Sequence, residues 1–354
     1  MPQKASSNPA WIGYAGLALG LLLIGLLFSQ LDLQRSFALI ADTGWYALLI
    51  LLPFGALHLL ETFAWQHLFP QTSGRVPFVR LLKIQIIAET VSMTFPAGVA
   101  VGEPLRPFLC HRLLGIPVPL GVASIAVRKL LLSVAQGVYT LVGSLFGFAL
   151  LQQLSPTILR FNGLGYIMVT MGLSVLLLFL FVLILLLNGN VAEKVHSLLM
   201  RIPFEKVRQK LLAHEAGFLA TDKALQAFRG NHHPRLWLVL LLYVTAWCML
   251  ALESYLILQA LGIQIPFMQV LTIDVALTML RTIFFFIPSG LGVQDVGYLL
   301  FFQALGIPEA VVVGGAFVLF RRLKELLWYA LGYVLMFFSG IHLGDAASLQ
   351  GEAE

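Results

Sequence analysis

The sequence predicts an all-α polytopic membrane protein of two inverted repeats, each holding a helical hairpin broken by proline and glycine, with about six full spans besides. Three observations lead there. Of the 354 residues, 59% are hydrophobic and 11% charged, at a mean hydropathy of +0.90. An average soluble domain is about 25% charged, so a water-facing surface is excluded. Six apolar stretches, at 10–30, 44–68, 118–150, 165–188, 236–261 and 309–341, are long enough to cross the hydrocarbon layer, which takes about 20 helical residues. Finally, one unusual pattern is written twice. Phe95-Pro96-Ala97-Gly98, Glu103, Leu114-Gly115-Ile116-Pro117 and Arg128-Lys129-Leu130 return as Ile287-Pro288-Ser289-Gly290, Asp295, Leu305-Gly306-Ile307-Pro308 and Arg321-Arg322-Leu323. Pro96 and Pro288, Glu103 and Asp295, and Glu61 and Glu253 are each 192 residues apart, the mark of a duplicated unit.

From the N-terminus, Lys4 precedes an apolar run over 10–28. That run exceeds a signal peptide's apolar region and lacks a small-residue cleavage site after it, so it reads as a retained first helix. Two further stretches, 78–113 and 267–305, are interrupted by Pro-x-Gly at Pro96 and Gly98 and at Pro288 and Gly290. Each break frees backbone groups that lipid cannot satisfy, so it must be buried in protein or line a cavity. The arms are short, which makes each segment a hairpin that is re-entrant or only just crosses.

The longest polar segment, 188–235, carries Lys194, Arg201, Lys206, Arg208, Lys210, Lys223, Arg229 and Arg235 against Glu193, Glu205, Glu215 and Asp222. The excess of positive charge places it in the cytoplasm. Counting spans back and forward from it puts both termini inside. The domain reading is one membrane domain over 1–354, with repeat one at 44–150, a cytoplasmic connector at 189–235 and repeat two at 236–341. An odd number of crossings between Glu61 and Glu253 inverts the repeats relative to one another. The connector's helical apolar spacing fits either a strut joining the repeats or a basic amphipathic surface on anionic lipid.

Charge inside a membrane needs a partner or a purpose. On the second span His58, Glu61, Thr62 and Trp65 share one helical face, and Glu253-Ser254-Tyr255 repeats its centre. Glu61, Glu89, Glu103, Glu253, Arg281 and Asp295 are candidates for gating or cation coupling. Glu89 and Arg281 are also 192 residues apart with opposite charge, which predicts an ion pair across the repeat interface. Arg106, Arg128, Lys129, Arg321, Arg322 and Lys324 are candidates for binding a headgroup, helped in the first half by the free N–H groups of the helix starting at Gly98. Arg128→Ala is expected to abolish transport while leaving the fold intact. For any single charge, an internal salt bridge between the halves competes with these roles. Cys110 and Cys248 sit in apolar surroundings and read as packing, and no residue grouping has the spacing of a metal site. No Walker A motif, nucleophile–base arrangement or separate catalytic domain is present, so the chain is expected to be no enzyme, to need no cofactor and to have no nucleic-acid partner.

The segments Phe95-Pro-Ala-Gly98 with Gly102-Glu103-Pro-Leu-Arg106, and Pro288-Ser-Gly-Leu-Gly292-Val-Gln-Asp295 with Leu305-Gly-Ile-Pro308, resemble the membrane domain of lysylphosphatidylglycerol synthases, the flippase-like family. The resemblance covers about 10–341, with Asp295 where that family usually has Glu. It implies movement of a lipid between leaflets, and partnership with lipid-biosynthesis enzymes such as those of hopanoid or glycolipid pathways. The synthase's soluble aminoacyl-transferase domain is not in this sequence. Two other functions remain open: a membrane-embedded transferase with Glu103 or Asp295 as base, which product formation would reveal, and a carrier of small solutes, which a sealed hydrophilic cavity would reveal.

Overall fold

The computed structural model describes residues 10–30, 32–69, 76–95, 98–188, 197, 215–227 and 233–341. Among them every regular element is helical: α1 (Ala10–Gln30), α2 (Leu33–Asp42), α3 (Tyr46–Leu49), α4 (Leu51–Gln66), α5 (Phe78–Thr94), α6 (Gly98–Leu114), α7 (Val118–Phe146), α8 (Phe148–Leu159), α9 (Leu164–Asn188), α10 (Glu215–Ala227), α11 (His233–Ala260), α12 (Phe267–Ile283), a 3₁₀ turn at Pro288–Gly290, α13 (Val293–Ala304) and α14 (Ala310–Phe338). Among the described residues four helical segments are long and apolar enough to cross a membrane: Tyr46–Gln66 (α3 running into α4), Val118–Phe146, Leu164–Asn188 and Leu236–Ala260. Helix α1 spans 21 residues. Helix α14 has 29 but carries Arg321, Arg322, Lys324 and Glu325 near its middle.

The duplication seen in sequence is repeated in the helices. Helices α7 and α14 are both 29 residues long and begin 192 residues apart, and α5 and α12 are both 17 residues long. Their partners are exchanged between the halves: α5 packs on α14, α12 on α7, and α4 on its counterpart α11. Both Leu-Gly-Ile-Pro segments end a helix in the same way, with Gly115 at φ 66° and Gly306 at φ 69°. A residue without Cβ takes that left-handed turn at little cost, and the following proline starts the next segment.

The breaks behave as backbone chemistry requires. Phe95, ahead of Pro96, is extended (φ −92°, ψ 142°), as steric clash with a following proline ring dictates. Pro96 itself lies outside the described residues; Gly98 opens α6. In the second half Ile287 is extended, and Ser289 (φ 54°), Gly290 (φ 63°) and Gly292 (φ 78°) are left-handed. Arms of 17, 17, 17 and 12 residues rise about 25 Å at most at about 1.5 Å per residue, short of the hydrocarbon thickness of about 30 Å.

One expected boundary is corrected. The third apolar stretch ends as a helix at Phe146 rather than 150, because Gly147 caps it and the chain turns into α8. A Cβ at Gly147 would lie 2.2 Å from Thr272 Oγ1, so α12 crosses too close for a larger residue. A further helix, α2, lies between the first two apolar stretches, where the sequence reading named no element. Asp32 caps it by accepting from the Arg35 N–H at 3.0 Å, and it packs on α14. Of the connector, α10 lies within the described residues and packs against α7, with Leu225 buried.

Close glycine contacts hold α7 against α9. A Cβ on Gly137 would meet the Leu176 backbone at 2.6 Å, and one on Gly172 the Leu141 N at 2.8 Å. Lipid offers no hydrophobic drive between helices, so such backbone approach supplies much of the packing energy. Gly137→Leu is therefore expected to separate this pair and cost about 1–3 kcal/mol, read as a lowered melting temperature in detergent. An unchanged melting temperature would show that α9 has room to shift.

Candidate functional site

The charged residues of the repeated units form two networks. In the first, Glu61 of α4 accepts from Arg128 Nη2 of α7 at 2.7 Å and from Gln85 Nε2 of α5 at 2.7 Å, while Arg128 also donates to Gln85 Oε1 at 3.0 Å. The Arg128 guanidinium lies over the Trp65 ring at 5.6 Å, and Trp65 Nε1 donates to Ser124 Oγ at 3.3 Å. Nearby, the buried Arg106 of α6 holds Glu89 at 2.7 Å and Glu103 at 2.9 Å, and Lys129 holds Glu103 at 2.7 Å. Three carboxylates face three cations, so the network is neutral. It is open on one side: Glu89, Glu103 and Lys129 are 25%, 21% and 51% exposed, against 1–2% for the two arginines.

The second network is built from the equivalent helices with different residues. Glu253 of α11 accepts from Lys324 Nζ at 2.9 Å, with Arg321 Nε at 4.0 Å. Asp295 accepts from Arg322 at 2.5 Å and also caps α13, taking the Gly292 N–H at 2.8 Å. Arg322 also holds Glu325 at 2.6 Å. Arg321 lies over the Tyr298 ring at 4.8 Å. Asp274 has three hydroxyl donors: Tyr139 at 2.8 Å, Tyr298 at 2.8 Å and Ser254 at 3.3 Å.

The two networks approach one another at an aromatic junction. Phe54 and His58 of α4 meet Trp328 of α14 with ring centroids 5.7 and 5.2 Å apart, and Lys324 Nζ stands 3.9 Å above the Phe54 ring. A cation over a ring face is attracted by its quadrupole, so Lys324 ties its own carboxylate, Glu253, to the first repeat. His58, Thr62 and Trp65 are all buried along the face read from sequence, with Glu61 12% exposed among them.

The structure therefore gives every candidate cation of the two basic clusters an acidic neighbour. It corrects the proposed pair across the interface. Glu89 binds Arg106, and Arg281 donates to Met93 Sδ at 3.4 Å. The reason is a register shift. Helices α5 and α12 begin 189 residues apart, whereas the prolines are 192 apart, because Phe284–Phe286 form a turn that the first half lacks. Counted from the helix starts, Glu89 aligns with Thr278 and Arg281 with Ser92. The same count exposes what sequence reading missed. Gln85 and Asp274 are both the eighth residue of their helix, and both stand at the heart of a network. Tyr139 and Tyr298 gave no signal, being aromatic residues in apolar helices.

Among the described residues no group of three or more His, Cys, Asp or Glu side chains is placed to hold a metal ion. No individual curated protein matches the chain. Residues 13–332 do match the family model for the lysylphosphatidylglycerol synthase TM region, and with that match over most of its length the chain belongs to this family of membrane proteins.

Proposed function

We propose that the protein moves a phospholipid- or glycolipid-like molecule between leaflets of a bacterial inner membrane, both chain ends cytoplasmic, through a polar groove between inverted repeats. One observation carries this reading: two networks of paired charges, built from equivalent helices, lie inside otherwise apolar segments, and the first, which is neutral, opens to the outside at Glu89, Glu103 and Lys129. A headgroup entering there exchanges its hydration for paired charges that are already in place, while its acyl chains stay in lipid. The exchange of partners between α5, α7, α12 and α14 is the pattern a pseudo-two-fold axis produces, as in transporters with a site at the repeat interface. The chain performs no covalent chemistry in this reading.

The test is leaflet exchange of short-chain lipids in proteoliposomes. Glu103→Gln keeps the size of a partly exposed group and one acceptor oxygen for Lys129 or Arg106, and leaves Arg106 its bond to Glu89. It is expected to slow exchange about ten-fold, equivalent to about 1.4 kcal/mol on the barrier, with melting unchanged. Exchange in wild-type vesicles no faster than in empty ones, for every headgroup class tried, would sink the reading.

A further inference from the structure

Arg281 stands where the two broken segments meet. Among the arginines of the repeated units' inner faces, Arg106, Arg128, Arg321 and Arg322 each have a carboxylate within 4.0 Å. Arg281 has none among the described residues, and its recorded donation goes to the sulfur of Met93, near the end of the first hairpin's leading arm. Sulfur is a weak acceptor, so the guanidinium's capacity is largely unused, and its side chain is half-buried rather than sealed. On the other side is the second break. Ser289 is held at φ 54° without being glycine, a strained conformation that persists where the surroundings fix it. Its Oγ shares a 3.2 Å hydrogen bond with the Tyr329 hydroxyl, a group lying in the field of Glu325, which Arg322 holds at 2.6 Å, and of Arg281 and Arg322.

We propose that Arg281, with Ser289 and Tyr329 beside it, forms a subsite for a phosphate group. A guanidinium in a membrane segment requires an anion. The neighbouring carboxylates of this chain are already bonded to other cations. Phosphate fits what remains, because Arg binds it through two parallel N–H groups and serine and tyrosine hydroxyls donate to further oxygens. The phosphate could belong to a lipid headgroup or to a free phosphoester. The lipid source rests on the transport function proposed above; the phosphate chemistry does not.

The test is native mass spectrometry of the full chain in detergent with three probes: phosphatidylglycerol, a neutral monoglycosyl diacylglycerol and glycerol 3-phosphate. Phosphatidylglycerol affinity is expected to fall about ten-fold in Arg281→Gln, less in Arg281→Lys, which keeps charge but loses the fork, and measurably in Tyr329→Phe, with neutral-lipid binding unchanged. Competition by glycerol 3-phosphate at equal concentration would assign the site to free phosphoesters; failure to compete would assign it to the lipid. If Arg281→Gln does not fold, the Lys and Phe variants decide. Undiminished phosphatidylglycerol affinity in the variants overturns the subsite while wild-type leaflet exchange leaves the transport function standing. Absence of both binding and exchange in wild type overturns the two together.

Discussion

Glu253→Ala is expected to destabilise the protein more than removal of any other carboxylate in the two networks. Glu253 is 2% exposed and is the anion for two cations, Lys324 at 2.9 Å and Arg321 at 4.0 Å. Its removal leaves both buried. Breaking a buried pair from one side costs about 3–5 kcal/mol, because the remaining charge has neither water nor partner, and here two charges are left. Lys324 keeps the Phe54 ring and Arg321 the Tyr298 ring, which offset about 0.5–2 kcal/mol each at most. Glu61→Ala is milder, since Arg128 retains Gln85 Oε1 at 3.0 Å, and Glu103→Ala milder again, since Lys129 is half in solvent and Arg106 keeps Glu89. Unfolding in detergent, followed by the fraction of protein that remains monodisperse on heating, should give that order. Glu61→Ala falling below Glu253→Ala would mean that Arg321, moving closer to Asp295 or Glu325, rescues the second network.

The broad architecture was legible because membrane physics leaves few options. Continuous apolar runs of about 20 residues span as helices, a Pro-x-Gly in such a run ends a helix, and a glycine before Ile-Pro turns the chain. The helical face of His58, Glu61, Thr62 and Trp65 followed from 3.6-residue periodicity alone. What could not be read was which charge meets which. The repeat offset of 192 is right at Glu61, Glu103 and the prolines, yet the Phe284–Phe286 turn shifts it to 189 along α5 and α12. Three residues rotate a helix by about 300° at about 3.6 residues per turn, enough to move Arg281 off the position opposite Glu89. The hydroxyl partners of Asp274 were equally hidden. Tyr139 comes from the other repeat, 135 residues away, and a tyrosine in an apolar helix looks the same whether its hydroxyl faces lipid headgroups or a buried carboxylate. Local pattern thus specified the helices, and contacts between repeats specified the chemistry.

Those contacts also change what Arg128 can be used to show. With its guanidinium buried against Glu61, Gln85 and the Trp65 ring, Arg128→Ala leaves Glu61 with the Gln85 amide alone. The expected cost is about 3–5 kcal/mol, so lost transport in that variant would report lost folding, against the expectation from sequence of an intact fold. The informative variant removes both charges. Replacing a buried pair by apolar groups of similar volume is often neutral or stabilising by about 1–4 kcal/mol, so Glu61→Leu with Arg128→Met is expected to melt close to wild type, far above either single substitution. Gln85 then loses two partners, and a residual deficit of about 1–3 kcal/mol is expected from its buried amide, removable by a third change, Gln85→Leu. Lipid exchange in that folded triple variant separates the two roles the network can have. Exchange at wild-type rate would make Glu61 and Arg128 a structural tie between α4 and α7. Exchange lost in a protein that melts normally would show that the headgroup's path needs these charges themselves, and would place that path along the face that carries His58 and Trp65.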